Sequence, residues 1–355
     1  MSLSVAAGGI DAAGAVATVL ATDRFIDLLT SPSEMLSIFI EGLAKASLYL
    51  MIASGLTLIF GLMDVINFAH GAFTMYGAYI AGGAVLVFGV GALGLPGSVG
   101  AFLLILIAVF VLIALLGTVF ELTLIRRLYE YPPIFMILLT FGIAITLEEL
   151  MRMIVEFRNI NNGQWQFDWA TPRQNTVPNA LSGRTDIAGV TVGGLHLPQI
   201  LLGVITVVGI WYFLNRTRYG LFVRAGVEDD EMAKALGIDI KRTFTVVFAI
   251  GSGLAGAAGV MLMWDPLWSV NVPLALDVLL PAFVIVIVGG LGSFKGTVVA
   301  SLLVGMIDAL ASWAFRVGVV TFTDVDQLMI FGILVVMLSL RPRGLFGVEG
   351  QGDHG

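Results

Sequence analysis

Residues Ala101-Phe-Leu-Leu-Ile-Leu-Ile-Ala-Val-Phe-Val-Leu-Ile-Ala-Leu-Leu-Gly-Thr-Val-Phe120 carry no charged side chain. The uncharged run reaches back to Gly71, so residues 71–120 contain no Asp, Glu, Lys or Arg. No soluble core requires that. A helix crossing about 30 Å of hydrocarbon at 1.5 Å per residue needs about 20 apolar residues, so the run holds two membrane spans. Between them Gly89-Val-Gly-Ala-Leu-Gly-Leu-Pro-Gly-Ser-Val-Gly100 supplies the glycines and proline of a turn.

The rest of the chain reads the same way. Of its 355 residues 58% are hydrophobic and 12% charged, with mean hydropathy +0.98, more apolar surface than a soluble domain can hide. Cutting wherever charges or Gly/Pro clusters interrupt the apolar runs leaves segments at 36–61, 69–90, 100–120, 134–155, 199–214, 243–263, 278–290, 297–315 and 326–340. The expected fold is an all-α membrane protein, a polytopic helical bundle of about nine transmembrane segments, some of them interrupted or re-entrant. The seventh and ninth segments are short enough to be tilted, re-entrant or shielded by neighbours. The count is therefore eight to ten. Absent cysteine removes disulfides and thiol chemistry, and a net charge of -7 argues against nucleic acid. No catalytic or metal-ligand spacing is found, so neither a catalytic residue nor a metal site is expected.

Basic residues set the expected orientation. Loops 62–68, 121–133, 215–242, 291–296 and the tail after 340 hold 11 Lys and Arg, against 5 in the opposite set. The richer side is read as cytoplasmic, placing the N-terminus outside and the C-terminus inside. The domain reading follows: an extracytoplasmic tail over 1–34, a permease domain over 35–347, and a cytoplasmic tail over 348–355. Within the domain, 215–242 is a cytoplasmic loop. The outside loop 156–198, with Trp165 and Trp169, is expected to form a lid or vestibule of irregular structure.

Helices in lipid are held by close contact through small residues. Gly251, Ala255 and Gly259 recur at i, i+4, i+8, and Ser301, Gly305 and Ala309 repeat the pattern. Charges inside spans need partners. Glu41 and Lys45 lie four apart and can pair, Glu148, Glu149 and Arg152 cluster similarly, and Asp308 has no partner that the sequence reveals.

Two interruptions point to a path through the bundle. Gly61-Leu-Met-Asp-Val-Ile-Asn-Phe-Ala-His-Gly71 places Asp64, Asn67 and His70 between apolar spans. It is either an ordinary turn or a broken helix whose free amides near Ala69 to Ala72 suit a carboxylate. Gly289-Gly-Leu-Gly-Ser-Phe-Lys-Gly296 lacks the Gly-Lys-Ser/Thr of a phosphate loop, and its glycines give a tight turn or an unwound backbone lining a cavity. Asn67, His70, Gly71, Gly289, Gly290 and Gly292 are the candidate path residues.

A third feature is Arg224-Ala-Gly-Val-Glu-Asp-Asp-Glu-Met-Ala-Lys-Ala-Leu-Gly-Ile238. It reads as a short helix with Glu228 to Glu231 in its first turn, a small apolar face of Met232, Ala235 and Leu236, and Gly237 as its cap. Such a helix is either a solvated connector or a piece that docks into the groove of a soluble partner.

These blocks resemble the permease subunits of ABC importers for branched-chain amino acids and related small amides such as urea. The resemblance covers most of residues 36 to 347. Three blocks carry it: Gly55-Leu-Thr-Leu-Ile-Phe-Gly61 running into Ile66-Asn-Phe-Ala-His-Gly71, then Arg224-Ala225 through Leu236-Gly-Ile238, then Gly289-Gly-Leu-Gly-Ser293 with Gly296. The chain is similar to the shorter permease type, without an attached ATPase.

The resemblance implies a multi-pass protein of a prokaryotic cell (inner) membrane, working with a second, similar or identical permease. Two cytoplasmic ATP-binding subunits and an extracytoplasmic solute-binding protein would complete the importer. This chain would bind no cofactor, and ATP would be used by the partners. Arg224, Ala225, Glu228, Glu231, Ala233 and Gly237 would form the ATPase-coupling loop, with Met232 where the family pattern has a second Ala. Branched-chain or other apolar amino acids are the expected solutes. Urea or a short amide, or an ion-coupled carrier or channel working without an ATPase, are the alternatives.

Overall fold

The computed structural model describes residues 30–63, 67–88, 95–161, 184–187, 190–265, 270–320 and 325–347. Most of the expected tails, Asp64, the glycines from Gly89 to Gly94, Trp165 and Trp169 lie outside the described residues.

In chain order the helices are α1 (Pro32–Met63), α2 (Ala69–Phe88), α3 (Leu95–Thr123), α4 (Pro133–Asn161), α5 (His196–Arg216), α6 (Arg218–Glu228), α7 (Asp230–Ala235), α8 (Ile240–Trp264), α9 (Leu274–Gly289), α10 (Phe294–Arg316) and α11 (Val325–Leu340). All but α6 and α7 correspond one to one with the nine apolar segments of the sequence. Among the described residues, α1, α3, α4, α5, α8 and α10 are long and apolar enough to cross a membrane. The 20 residues of α2 carry no charge. At 16 residues each, α9 and α11 rise about 24 Å, short of the hydrocarbon thickness. α9 compensates by its position, packed against α1, α2, α10 and α11.

Side-chain oxygens start several helices. Thr217 accepts from the Gly220 amide at 3.0 Å, Asp229 from Met232 at 2.8 Å, Asp239 from Arg242 at 3.0 Å and Ser293 from Gly296 at 3.2 Å. Each satisfies an amide that the first turn leaves without a helical partner.

Two expectations change. The sequence predicts one short helix with Glu228 to Glu231 in its first turn, but the structure breaks it at Asp229, whose extended backbone ends α6 and caps α7. Arg224 to Glu228 therefore belong to a helix that starts directly after α5. The loop 156–198 is not irregular throughout. Helix α4 continues to Asn161 because nothing from Glu156 to Asn161 breaks a helix. Near its other end β1 (Arg184–Ile187) pairs antiparallel with β2 (Val190–Gly193), whose Val190 and Val192 are buried, and α5 follows at once.

α1 and α8 form the centre, buried along most of their length. The contacts run through small residues, as the spacing predicts. A Cβ at Gly305 of α10 would lie 2.6 Å from the Ala46 Cα of α1, and one at Gly42 would lie 2.6 Å from the Met306 sulfur. On the other side, a Cβ at Gly77 of α2 would sit 2.7 Å from the Gly256 Cα of α8, and Gly259 abuts the Thr74 carbonyl. At Gly305, Gly77 and Gly259 the added methyl meets backbone, which cannot yield.

Gly259→Ala should therefore destabilise the protein by about 1–3 kcal/mol. Gly142→Ala on α4, where an added Cβ meets nothing within 4 Å, should be neutral or stabilising by up to about 1 kcal/mol. Thermal unfolding in detergent separates the two, and equal responses would refute the packing account.

Candidate functional site

The three sequence blocks converge on one end of the bundle, at the C-terminal end of α1. Gly61 backs onto Gly292, so that an added Cβ would stand 3.0 Å from the Gly292 Cα. Close by, the hydroxyls of Thr57 and Thr297 are 2.7 Å apart. Gly226 of α6 packs the same end, its Cβ position 3.1 Å from a Leu62 methyl.

The glycine segment is a tight turn. Gly290 and Gly292 take φ of +100° and +76°, a region that side chains disfavour, and Gly289 faces Gly296 with a Cβ position 2.6 Å from its carbonyl carbon. The chain after α11 returns to close it. Leu345 donates to the Val288 carbonyl at 2.8 Å and Phe346 to the Gly289 carbonyl at 3.0 Å, satisfying the end of α9. Of the two sequence readings for these glycines, the geometry is the turn.

Beside it, α6 and α7 leave an edge open to solvent. Leu221, Met232 and Leu236 are exposed, Leu236 by 75%, while Ala233 is buried beneath them. Glu228 and Glu231 are exposed, and Gly237 closes α7 with φ of +82°. Arg224 reaches back to Asn215 at 3.1 Å, and the Ala225 carbonyl accepts from Asp229 at 3.0 Å.

The start of α2 is brought well inside the bundle. His70 Nε2 lies 2.9 Å from the Ile52 carbonyl, eleven residues before the end of α1. A carbonyl can only accept, so Nε2 donates and the neutral ring presents its Nδ1 lone pair. That lone pair has no partner, and neither do Asn67 Nδ2, Ser54 Oγ and Thr74 Oγ1, all buried. Asn67 Oδ1 accepts from the Ala69 amide at 3.0 Å, capping the helix. Gly71 abuts the Ala275 carbonyl of α9. Asn67, His70 and Thr74 recur at i, i+3, i+7, and the His70 ring lies against α1, its Cε1 2.8 Å from the Cβ position of Gly55.

At the N-terminal end of α1 lies a network of charges. Lys45 Nζ donates to Asp308 Oδ1 at 2.5 Å and to Ser312 at 2.6 Å, and the Tyr49 hydroxyl donates to Asp308 Oδ2 at 2.6 Å. Arg316 grips Glu41 with two bonds, of 3.0 and 2.7 Å. Glu41 and Lys45, expected to pair within α1, stand 3.8 Å apart, and each has a shorter partner on α10. Arg152 and Glu149 make an exposed 3.5 Å contact on α4.

A family profile described as the permease component of the branched-chain amino acid transport system matches residues 38–338. The chain belongs to this family. The high-affinity branched-chain amino acid transport system permease BraD of Pseudomonas aeruginosa is 27% identical over 313 residues, 87% of this chain and 94% of that one. LivH of Escherichia coli K12 is 24% identical over 86% of this chain and 94% of its own length. The probable LivH of Methanocaldococcus jannaschii is 26% identical over 86% and 90%. Among solved structures, PsaBC from Streptococcus pneumoniae in complex with Fab aligns over 91% of this chain and 97% of that one at 14% identity. Its TM-score of 0.48 is too loose a likeness to carry an argument.

For this permease the sequence named the glycine turn, Asn67 and His70, and missed the Lys45–Asp308 bond, which joins residues 263 positions apart. One signal was available. Asp308 is a carboxylate inside a span and demands a cation, and within the spans Lys45 and Arg152 are the cations on offer.

Removing one member of that pair leaves the other buried without its charge partner. Asp308→Leu should cost about 3 kcal/mol or more. The double change Lys45→Met with Asp308→Leu should recover most of that loss in thermal unfolding of the reconstituted protein; equal losses would show that the pair is not coupled.

Proposed function

We propose that this permease forms half of the transmembrane pathway of an ATP-driven importer for a branched-chain or other apolar amino acid. A second permease completes the pathway, an extracytoplasmic solute-binding protein delivers the solute, and two cytoplasmic ATP-binding subunits hydrolyse ATP. The observation that carries the reading is the α6–α7 edge. Two short helices are anchored on the end of α1 through Gly226 and expose Met232 and Leu236 beside Glu231, a surface suited to a groove on a soluble partner. Force applied there passes directly into α1, the central helix. In this reading the α6–α7 end is cytoplasmic and the N-terminus outside, in a prokaryotic cell membrane.

The proposed path runs past Asn67 and His70. Their unpartnered Nδ2 and Nδ1 atoms offer one donor and one acceptor at the depth of Ile52, where a passing polar head group loses its water. The glycines Gly289, Gly290 and Gly292 serve the path indirectly, as the turn that fixes α9 and α10 against α1.

With both ATPase subunits reconstituted, Glu231→Arg should leave unfolding of the permease alone unchanged, whereas Gly237→Trp, placed at a positive φ, should cost about 1–2 kcal/mol without preventing folding. The loss of a docking contact worth about 2 kcal/mol should lower ATP-driven uptake roughly thirtyfold. Full uptake by either variant would refute the docking surface. Asn67→Ala with His70→Ala should abolish uptake while ATPase binding persists, and unchanged uptake would move the path elsewhere. Uptake of labelled leucine against labelled urea distinguishes the solutes, and uptake by the permease without any ATPase would replace an importer with a carrier or channel.

A further inference from the structure

Helices α5 and α10 both pack against α1, and a cleft separates them on the outer side of the bundle. Two cavities make it up, of about 310 Å3 and 220 Å3, and they adjoin, since Val207, Val208 and Val298 line both. Helix α5 borders the cleft from Ile200 to Trp211 and α10 from Phe294 to Leu302, with Ala46 and Leu50 of α1 as its floor. Val204, Val208 and Trp211 are exposed along it. At 1.5 Å per residue the α5 wall is about 16 Å long, half the hydrocarbon thickness. The cleft is one leaflet deep.

Shape and lining select an acyl chain. A helix is about 10 Å or more across and does not enter a space of this volume. Water is excluded from the deep half, where two serines interrupt the apolar lining. The Ser47 hydroxyl donates to the Leu43 carbonyl at 2.8 Å, so Ser301 is left as a single partner for a water that needs at least two. The mouth is different. Lys295 lines it beside Trp211, is exposed, and makes no ion pair among the described residues. It stands in the first turn of α10, where the helix dipole disfavours a cation. The rule that places basic residues in cytoplasmic loops accounts for a lysine at this end of the bundle, but not for this position. An anion at the mouth does account for it, meeting the ammonium together with the amides that the same first turn leaves free. Trp211 adds the amphipathic ring that suits the level of lipid head groups.

We propose that the α5–α10 cleft holds one anionic glycerophospholipid, with an acyl chain laid along Val204 and Val208 and the phosphate at Lys295. The site goes beyond the importer reading and is independent of the solute carried. It differs from the lipid that coats any membrane protein in two respects: its chain lies between helices, and its head group is chosen by charge.

The test uses the purified full-length permease in native mass spectrometry, with dioleoyl-phosphatidylglycerol and dioleoyl-phosphatidylcholine added in turn. One phosphatidylglycerol per chain should survive detergent exchange and bind about fivefold more tightly than phosphatidylcholine, the gain that one lysine gives near anionic lipid. Lys295→Glu suits the first turn of α10 better, so thermal unfolding should be unchanged or later, yet the preference should vanish. Val208→Trp fills the cleft from its exposed side and should weaken both lipids about tenfold while keeping the preference. A phosphatidylglycerol with a photoactivatable group in mid-chain should label α5 and α10 along the cleft. No retained lipid, equal affinities for the two lipids, or a preference that persists in Lys295→Glu would each overturn the site. Labelling spread over the outer faces of α3 and α4 would overturn it as coating lipid only, and lipid-free dimers in the same spectra would assign the cleft to a second copy. The unaltered protein and Lys295→Glu decide even if Val208→Trp fails to fold.

Discussion

Helix α1 touches its neighbours mostly through backbone. Gly42 and Ala46 meet α10 at Met306 and Gly305, Gly55 meets α8 at Gly251, and Gly61 meets the Gly292 turn. In lipid there is no water to expel from between helices, so contact at this range supplies the attraction that burial supplies in a soluble core. The arrangement is also unforgiving. Where a Cβ would collide with a main-chain atom, no rotamer change relieves it. Helix α1 is therefore held at fixed depth and rotation against three neighbours, and every other site on the chain inherits that placement.

The charged network depends on it most directly. Glu41, Lys45 and Tyr49 lie on one side of α1, and Asp308, Ser312 and Arg316 repeat the four-residue spacing on α10. The two rows meet because Gly305 lets the helices approach below them. Buried ion pairs are weak sources of net stability, since desolvation offsets most of the attraction, but a displaced partner is expensive. The network thus acts as a register mark: a slip of one helical turn between α1 and α10 would strand Lys45 or Asp308 in a water-poor interior.

Much of this was readable in the chain, and the limits have physical causes. The apolar runs located nine helices, because lipid exposure imposes a length and a composition that few other constraints can mimic. The small-residue faces at Gly251 to Gly259 and Ser301 to Ala309 were readable because helical spacing is local. The Lys45–Asp308 bond was not, because its partners are 263 positions apart and their meeting depends on which helices are neighbours. The break at Asp229 was hidden by competition. Asp and Glu from 228 to 231 suit one helix start, and Asp229 instead ends one helix with extended backbone while its side chain caps the next.

Where His70 meets α1, this close-packed arrangement is left incomplete. Ser54, Asn67, His70 and Thr74 each bury a polar atom without a bond, at a cost of about 1–3 kcal/mol apiece. Apolar residues of similar size would remove that cost, and the neighbouring contact of Gly55 with Gly251 of α8 shows that α1 packs tightly here without any polar side chain. Asn67, His70 and Thr74 bring three of these atoms to the start of α2, where His70 is held against α1 at Ile52. Polar groups kept dry and unbonded there are what the proposed path would use, the solute itself completing the missing bonds. On that account the stability lost at rest is the affinity available in transit, and it amounts to only a few hydrogen bonds, enough to replace part of a head group's hydration without trapping it.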